Sequence, residues 1–107
     1  IVGVTLPKDT DVEKILLWVS EVQYPYIETK PLHGSQRAIR GSRAEQLHKK
    51  YGFSDGYFIE IRCIVNTELK QLIASFIDQV VVLTPTSLRN EMAERVEALL
   101  KRYNSRI

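Results

Sequence analysis

The run "PLHGSQR", Pro31 to Arg37, sets His33, Ser35, Gln36 and Arg37 within five positions of one another. A histidine two positions from a serine is raw material for nucleophilic hydrolysis, in which an imidazole takes the hydroxyl proton. That chemistry also needs an acid to orient the imidazole and donors for the oxyanion, and "GSQ" lacks the G-x-S-x-G elbow that would present the serine. Metal chemistry fares no better: His33 and His48 stand fifteen positions apart, and Cys63 is the only thiol. A closed zinc site takes four converging ligands at characteristic spacing. Phosphate-cradling runs of the G-x-G-x-x-G or G-x-x-x-x-G-K-[ST] type are also absent from the sequence. The run therefore reads as a turn whose polar groups satisfy the backbone, with recognition as the chemical role left to it.

Charge carries more information. Between Arg37 and Lys50 there are five cations, Arg37, Arg40, Arg43, Lys49 and Lys50, against the single carboxylate of Glu45. A basic, histidine-bearing connection beside a strand suits an anion or a nucleic-acid backbone. The contact residues expected for a nucleic-acid or small effector are thus His33, Gln36, Arg37, Arg40 and Arg43. The competing reading is a solvated connection that keeps a sheet edge soluble. No catalytic residue, metal ligand or cofactor is expected, so the chain is read as no enzyme.

The bulk numbers bound these possibilities. With 107 residues, 44% hydrophobic and 26% charged, the chain supports one core and a net charge of only +2. Any basic partner surface must then be local. A lone cysteine forms no internal disulfide, which makes a reducing cytoplasm the expected location. No run of eighteen apolar residues predicts a membrane span. A start at Ile1 rather than methionine suggests a piece excised from a larger protein.

Positioning these residues falls to the following elements. Ile1 to Thr5 is a strand or a lead-in, and "LPKDTD" is a turn. "DVEKILLWVSEV" is ambiguous: Val12, Ile15, Leu16, Val19 and Val22 share a helical face, and Thr10 with Glu13 has capping-box spacing. Yet Ile15, Leu17 and Val19 alternate with Leu16 and Trp18, as in a strand covered on both faces. "EVQYPYIETKP" is a short helix bearing Val22, Tyr26 and Ile27, stopped by Pro31; "SQRAIR" is a polar strand. "GSRAEQLHKKYGFSDG" is a polar connection with a turn or two of helix around Ala44 to Lys50. "YFIEIRCIVN" is a strand with Tyr57, Ile59, Ile61, Cys63 and Val65 inside and Glu60, Arg62 and Asn66 on a partly solvated face. Cys63 is then a small buried hydrophobe, and Trp18 is core. "TELKQLIASFIDQ" is a helix capped by Thr67, and "VVVL" is an apolar strand placed mid-sheet. The last helix carries Leu88, Met92, Val96, Leu99 and Tyr103 on one side, with Thr84 as N-cap and Pro85 at its first position. The sum is an α+β domain of split βαβ, ferredoxin-like type with an added C-terminal helix. Such a sheet leaves one face free of helices, to be covered by pairing with a second copy or, alternatively, by the final helix.

Several strings also carry a family resemblance: "KILLWVS", "YIETKPLHGSQR", "VNTELKQLIASFIDQVVVLTPTSLR" and a closing tyrosine after an amphipathic helix. Together, from Lys14 to Tyr103, they resemble the C-terminal extension (WCX) domain of bacterial WYL-domain transcriptional regulators. The resemblance implies a ferredoxin-like domain over residues 14–107, with residues 1–13 leading in from a preceding WYL domain. It further implies a winged helix-turn-helix upstream for DNA binding, a role in dimerisation, and a share in shaping the effector site. It assigns "KILLWVS" to the first strand and "EVQYPYIETKP" to the first helix. The connection from Arg40 to Asp55 departs from the pattern, being longer than a hairpin. The alternatives are a small acylphosphatase-like hydrolase and a purely structural dimerisation module. The hydrolase would need an arginine near the first strand, and Ile1 to Ser20 contains none.

Overall fold

A computed structural model describes residues 12–105. In it the ambiguous stretch resolves as a strand, β1 (Val12–Val19), as the resemblance implies. Every residue from Ile15 to Val19 is buried, with Ile15, Leu17 and Val19 in one core layer and Leu16 and Trp18 in another. A one-sided helix cannot bury five consecutive side chains, whereas a strand covered on both faces does. The start of the chain, including Ile1 to Thr5, the turn after it and Thr10, lies outside the described residues.

The remaining elements are α1 (Tyr24–Thr29), β2 (Arg37–Ile39), α2 (Gly41–Tyr51), β3 (Tyr57–Ile64), α3 (Thr67–Ser75), a 3-10 turn (Ile77–Gln79), β4 (Val80–Thr84) and α4 (Thr86–Asn104). The strands form one antiparallel sheet in the order β2-β3-β1-β4. This is the ferredoxin-like α+β arrangement, with α2 inserted between β2 and β3 and α4 appended.

Several expectations are corrected. β4 is an edge strand rather than a central one; its apolar run reflects cover on both faces, since Val80 and Val82 join the α1, α3 and α4 layer and Leu83 joins the opposite one. The connection after β2 contains an eleven-residue helix, not a turn or two. That helix buries no residue completely; Ala44, Leu47, His48 and Tyr51, at helical spacing, are half-buried, and the rest of it is polar and exposed. Gly52 ends it in the left-handed region (φ +74°), donating to the His48 carbonyl at 2.9 Å. Helix α1 buries only Ile27; Val22 precedes the helix, and both it and Tyr26 are exposed.

Caps shift by one position. The Asn66 side chain, not Thr67, accepts from the Leu69 N–H at 2.9 Å at the start of α3. Pro85 rather than Thr84 is the N-cap of α4, and Thr86 is its first residue. Along α4 only Leu88 and Met92 are buried, while Val96, Leu99 and Tyr103 continue the stripe into solvent.

The face expected to be free of helices is half covered. Helix α2 and the segment after it lay Leu47, Tyr51 and Phe53 over a second core of Leu16, Trp18, Phe58 and Leu83. The Trp18 indole stacks on Phe53 with centroids 4.6 Å apart and donates from Nε1 to the Asp55 carbonyl at 2.8 Å. Trp18 is therefore core, as expected. Gly56 lies directly beneath the indole at φ +83°, where any Cβ would collide with the ring. The other half of this face stays open, and it carries the charge.

Candidate anion-binding face

Strand parity and register build this surface. On the α2 side of the sheet, β3 presents Phe58, then Glu60, then Arg62, while β1 presents Trp18, Leu16 and Lys14. The antiparallel register sets Lys14 opposite Arg62 and Leu16 opposite Glu60; β2 sets Arg37 opposite Glu60 from the other flank. Helix α2 covers the half with Trp18 and Phe58 and drops Arg43 from its first turn toward the uncovered half. Three cations on three different elements, Lys14, Arg43 and Arg62, thereby converge on one carboxylate, and Arg37 stands opposite it on β2.

Glu60 is only 4% exposed, contrary to the partly solvated position expected for it. Its Oε2 lies 3.4 Å from Arg43 Nη2 and 3.6 Å from Lys14 Nζ, and its Oε1 lies 3.6 Å from Arg62 Nε. Burial opposes the charge, but Lys14, the hydrogen bond from Arg43, and Arg62 together outweigh it and hold the carboxyl below the usual carboxylate range. Like charges directly opposed across strands, as Lys14 and Arg62 are, repel. Glu60 offsets part of that repulsion. Its lowered pKa keeps it ionised near neutral pH, so it serves as a counter-ion and not as a general acid or base.

Each cation remains half-exposed or more, with 55% of Lys14, 53% of Arg43 and 58% of Arg62 accessible. Arg37 is exposed and, among the described residues, forms no ion pair. The patch thus offers three guanidinium forks and an ammonium around a single buried negative charge. Arginine forks match the two-oxygen geometry of phosphates and carboxylates.

The sequence-expected contact residues divide between this face and its surroundings. Arg37 and Arg43 belong to the cluster. Arg40, at the N-cap of α2, points instead to Glu28 at 3.8 Å, across a groove floored by Tyr24 stacked on Tyr57. Burial, then the Glu28 carboxylate, pushes the Tyr24 phenol up, so it stays a neutral donor.

His33 and Gln36 lie in the junction between α1 and β2. Gln36 accepts from the Leu32 N–H at 2.9 Å and donates to the Ile27 carbonyl at 3.1 Å, using both ends of its amide to close the turn. The Ser35 hydroxyl accepts from the Arg62 N–H at 2.8 Å and lies 3.0 Å from the Arg62 carbonyl, extending the β2–β3 pairing by a side chain. His33 Nδ1 accepts from the Ser35 N–H at 3.1 Å. The same ring nitrogen lies 2.7 Å from the Ser35 hydroxyl, so the histidine and serine of "PLHGSQR" contact each other as well as the backbone.

Lys14, Glu60 and Arg62 were missed as site residues. Parity alone separates Glu60 and Arg62 from the interior of β3, but only the strand register brings Lys14 to them. His48, the other histidine, is structural: its Nδ1 donates to the Phe53 carbonyl at 2.9 Å and its ring meets Phe58 edge-on. Cys63 is buried, and burial followed by the neighbouring Glu13 pushes its thiol up, which disfavours the nucleophilic thiolate. Among the described residues no three of His, Cys, Asp or Glu cluster as metal ligands, and no helix is long and apolar enough to cross a membrane.

The family model for the WCX domain matches residues 11–100. The chain belongs to the WCX domain family. The match spans every strand and runs into α4, so the ferredoxin-like sheet described above is the WCX domain itself. A WCX domain is a module associated with WYL-type regulators. Comparison with curated proteins finds no match to this one.

Proposed function

We propose that this WCX domain is a non-enzymatic regulatory and oligomerisation domain of a bacterial WYL-family transcription factor. Its open half-sheet contacts an anionic effector, either a nucleic-acid strand or a small phosphorylated or carboxylated ligand. The observation that carries this reading is the convergence of Lys14, Arg43 and Arg62 on one buried carboxylate, with Arg37 set opposite it on the neighbouring strand and left without an ion pair among the described residues. Cations gathered from four elements around a resident counter-ion form a surface suited to taking further negative charge. Arg40 and His33 flank it in adjoining grooves, and Gln36 acts by fixing the junction that sets Arg37 in place. The WYL and winged helix-turn-helix domains expected upstream would supply promoter binding and the rest of the effector site.

The test is made in the intact regulator. Alanine at Arg37, Arg43 and Arg62 together should weaken its response to effector in a promoter-release assay, most strongly at low salt. A triple variant that responds as the wild type does throughout a salt series would contradict the proposal.

A further inference from the structure

On the opposite side of the sheet, α3, β4 and α4 together line a groove. The two helices are tied at one end by Lys70 Nζ and Glu91 Oε1, 3.0 Å apart. Beyond that tie the groove, of about 400 Å³, opens along the sheet edge, walled by Ile73, Val80, Val82, Met92, Val96 and Leu99. Its volume falls within the range of sites that enclose small organic ligands, roughly 300–1,000 Å³. Val96 and Ile77 at its margin are 53% and 58% exposed, so the apolar wall continues into solvent.

One residue does not fit a wall meant only for packing. Arg89, Met92, Val96 and Leu99 recur at spacings of three, four and three and therefore share one helical face. A cation stands within an otherwise apolar stripe. Among the described residues the Arg89 guanidinium meets no carboxylate; its side-chain partner is the neutral Asn90 Oδ1, at 3.2 Å. A second arginine, Arg95, lines the same groove and makes a long 3.7 Å contact with Glu91. The acid in the lining, Asp78, accepts from Gln79 and forms no ion pair with either arginine.

The mouth is shaped by Ile77, a β-branched residue held at φ +55°. That region is sparsely populated by such residues, and strain of this kind is found disproportionately at ligand sites.

We infer that the groove between α3 and α4 binds a small apolar carboxylate, its chain against Val82, Met92, Val96 and Leu99 and its charge on Arg89 and Arg95. The site is independent of the cationic half-face, which lies on the other side of the sheet.

Titration of the isotopically labelled 107-residue chain with decanoate, and separately with decanol, followed by amide chemical shifts, tests this. Decanoate should give saturable shifts centred on Ile77, Val82, Val96 and Leu99 and bind about fivefold or more tightly than decanol, the effect of one charge-assisted contact. Replacing both arginines (Arg89→Gln, Arg95→Gln) should reduce that preference to less than about twofold. Val96→Trp, at a half-exposed position, should block both probes without lowering the melting temperature; Ala93→Trp serves in its place if that variant does not fold. Absence of saturation with decanoate, equal affinity for the two probes, or unchanged binding by the folded tryptophan variant would overturn the inference. So would sedimentation showing a stable pair with these groove residues protected, since the occupant would then be a second copy of the chain.

Discussion

Glu60 shows how one position can invert its sequence-level reading. Its place in "YFIEIRCI" marks it as solvent-facing, yet it is buried with the charged groups of Lys14, Arg43 and Arg62 against its carboxylate. Glu60→Gln keeps the shape and removes the charge, leaving three cations facing a buried amide. The substitution should cost about 1–3 kcal/mol in a urea unfolding series. Because the folded-state pKa is depressed, the stabilisation from Glu60 is fully present above the unfolded carboxylate value, ~4.3, and is lost as pH falls through the lower folded value. The stability gap between wild type and Glu60→Gln should therefore narrow on acidification below that point. A gap that widens there would contradict the counter-ion role. At the same scale, the polar residues of "PLHGSQR" were legible as a turn because Pro31 and Gly34 punctuate it. Their partners, the Ile27 carbonyl and the Arg62 backbone, lie nine and twenty-seven positions away and were not.

Among the elements, α2 was the least legible. Its sequence is polar on average, which hid a regular inner face of Ala44, Leu47, His48 and Tyr51 at helical spacing, and the element is held by what it sets down on the sheet: Leu47, Tyr51 and the Phe53 ring over Trp18. Strand β3 was more readable, because alternation marks Ile59, Ile61 and Cys63 as interior, whereas β1, covered on both faces, fits a helical face as well as a strand. The mid-sheet placement of β4 failed for a physical reason: an edge strand buried on both faces carries the same apolar run as a central one. Gly56 is the pivot of the α2 connection. Gly56→Ala would combine a strained positive φ with overlap of the indole and should cost about 2–4 kcal/mol. Trp18 is the single tryptophan, so its fluorescence reports the event, and emission should shift to the red as the ring loses its seat. An unchanged spectrum and unfolding midpoint would show that this packing is unimportant.

Over the whole molecule, the βαββαβ order was recoverable from alternating strand and helix signals, whereas the sheet order, with β4 at an edge, was not. Which half of the open face stays bare was not recoverable, because it depends on where α2 docks. The bare half also carries exposed Val12 and Ile64 beside its cations, and the end of α4, outside the groove, extends Leu100 and Tyr103 beyond the sheet. Apolar surface of this kind favours association, so light scattering of the chain should show mass rising with concentration toward a dimer. A strict monomer at millimolar concentration would exclude pairing by this domain alone.

The central claim is that Lys14, Arg37, Arg43 and Arg62 form one anion-binding face, and binding of a twelve-residue oligothymidylate measured across a salt series tests it most directly. Neutralising about three to four phosphates on a single strand predicts a slope of log K against log salt near −2 to −3, reduced by roughly 0.7 for each cation replaced by alanine. Binding that ignores salt, or slopes left unchanged by Arg37→Ala and Arg62→Ala, would contradict the account.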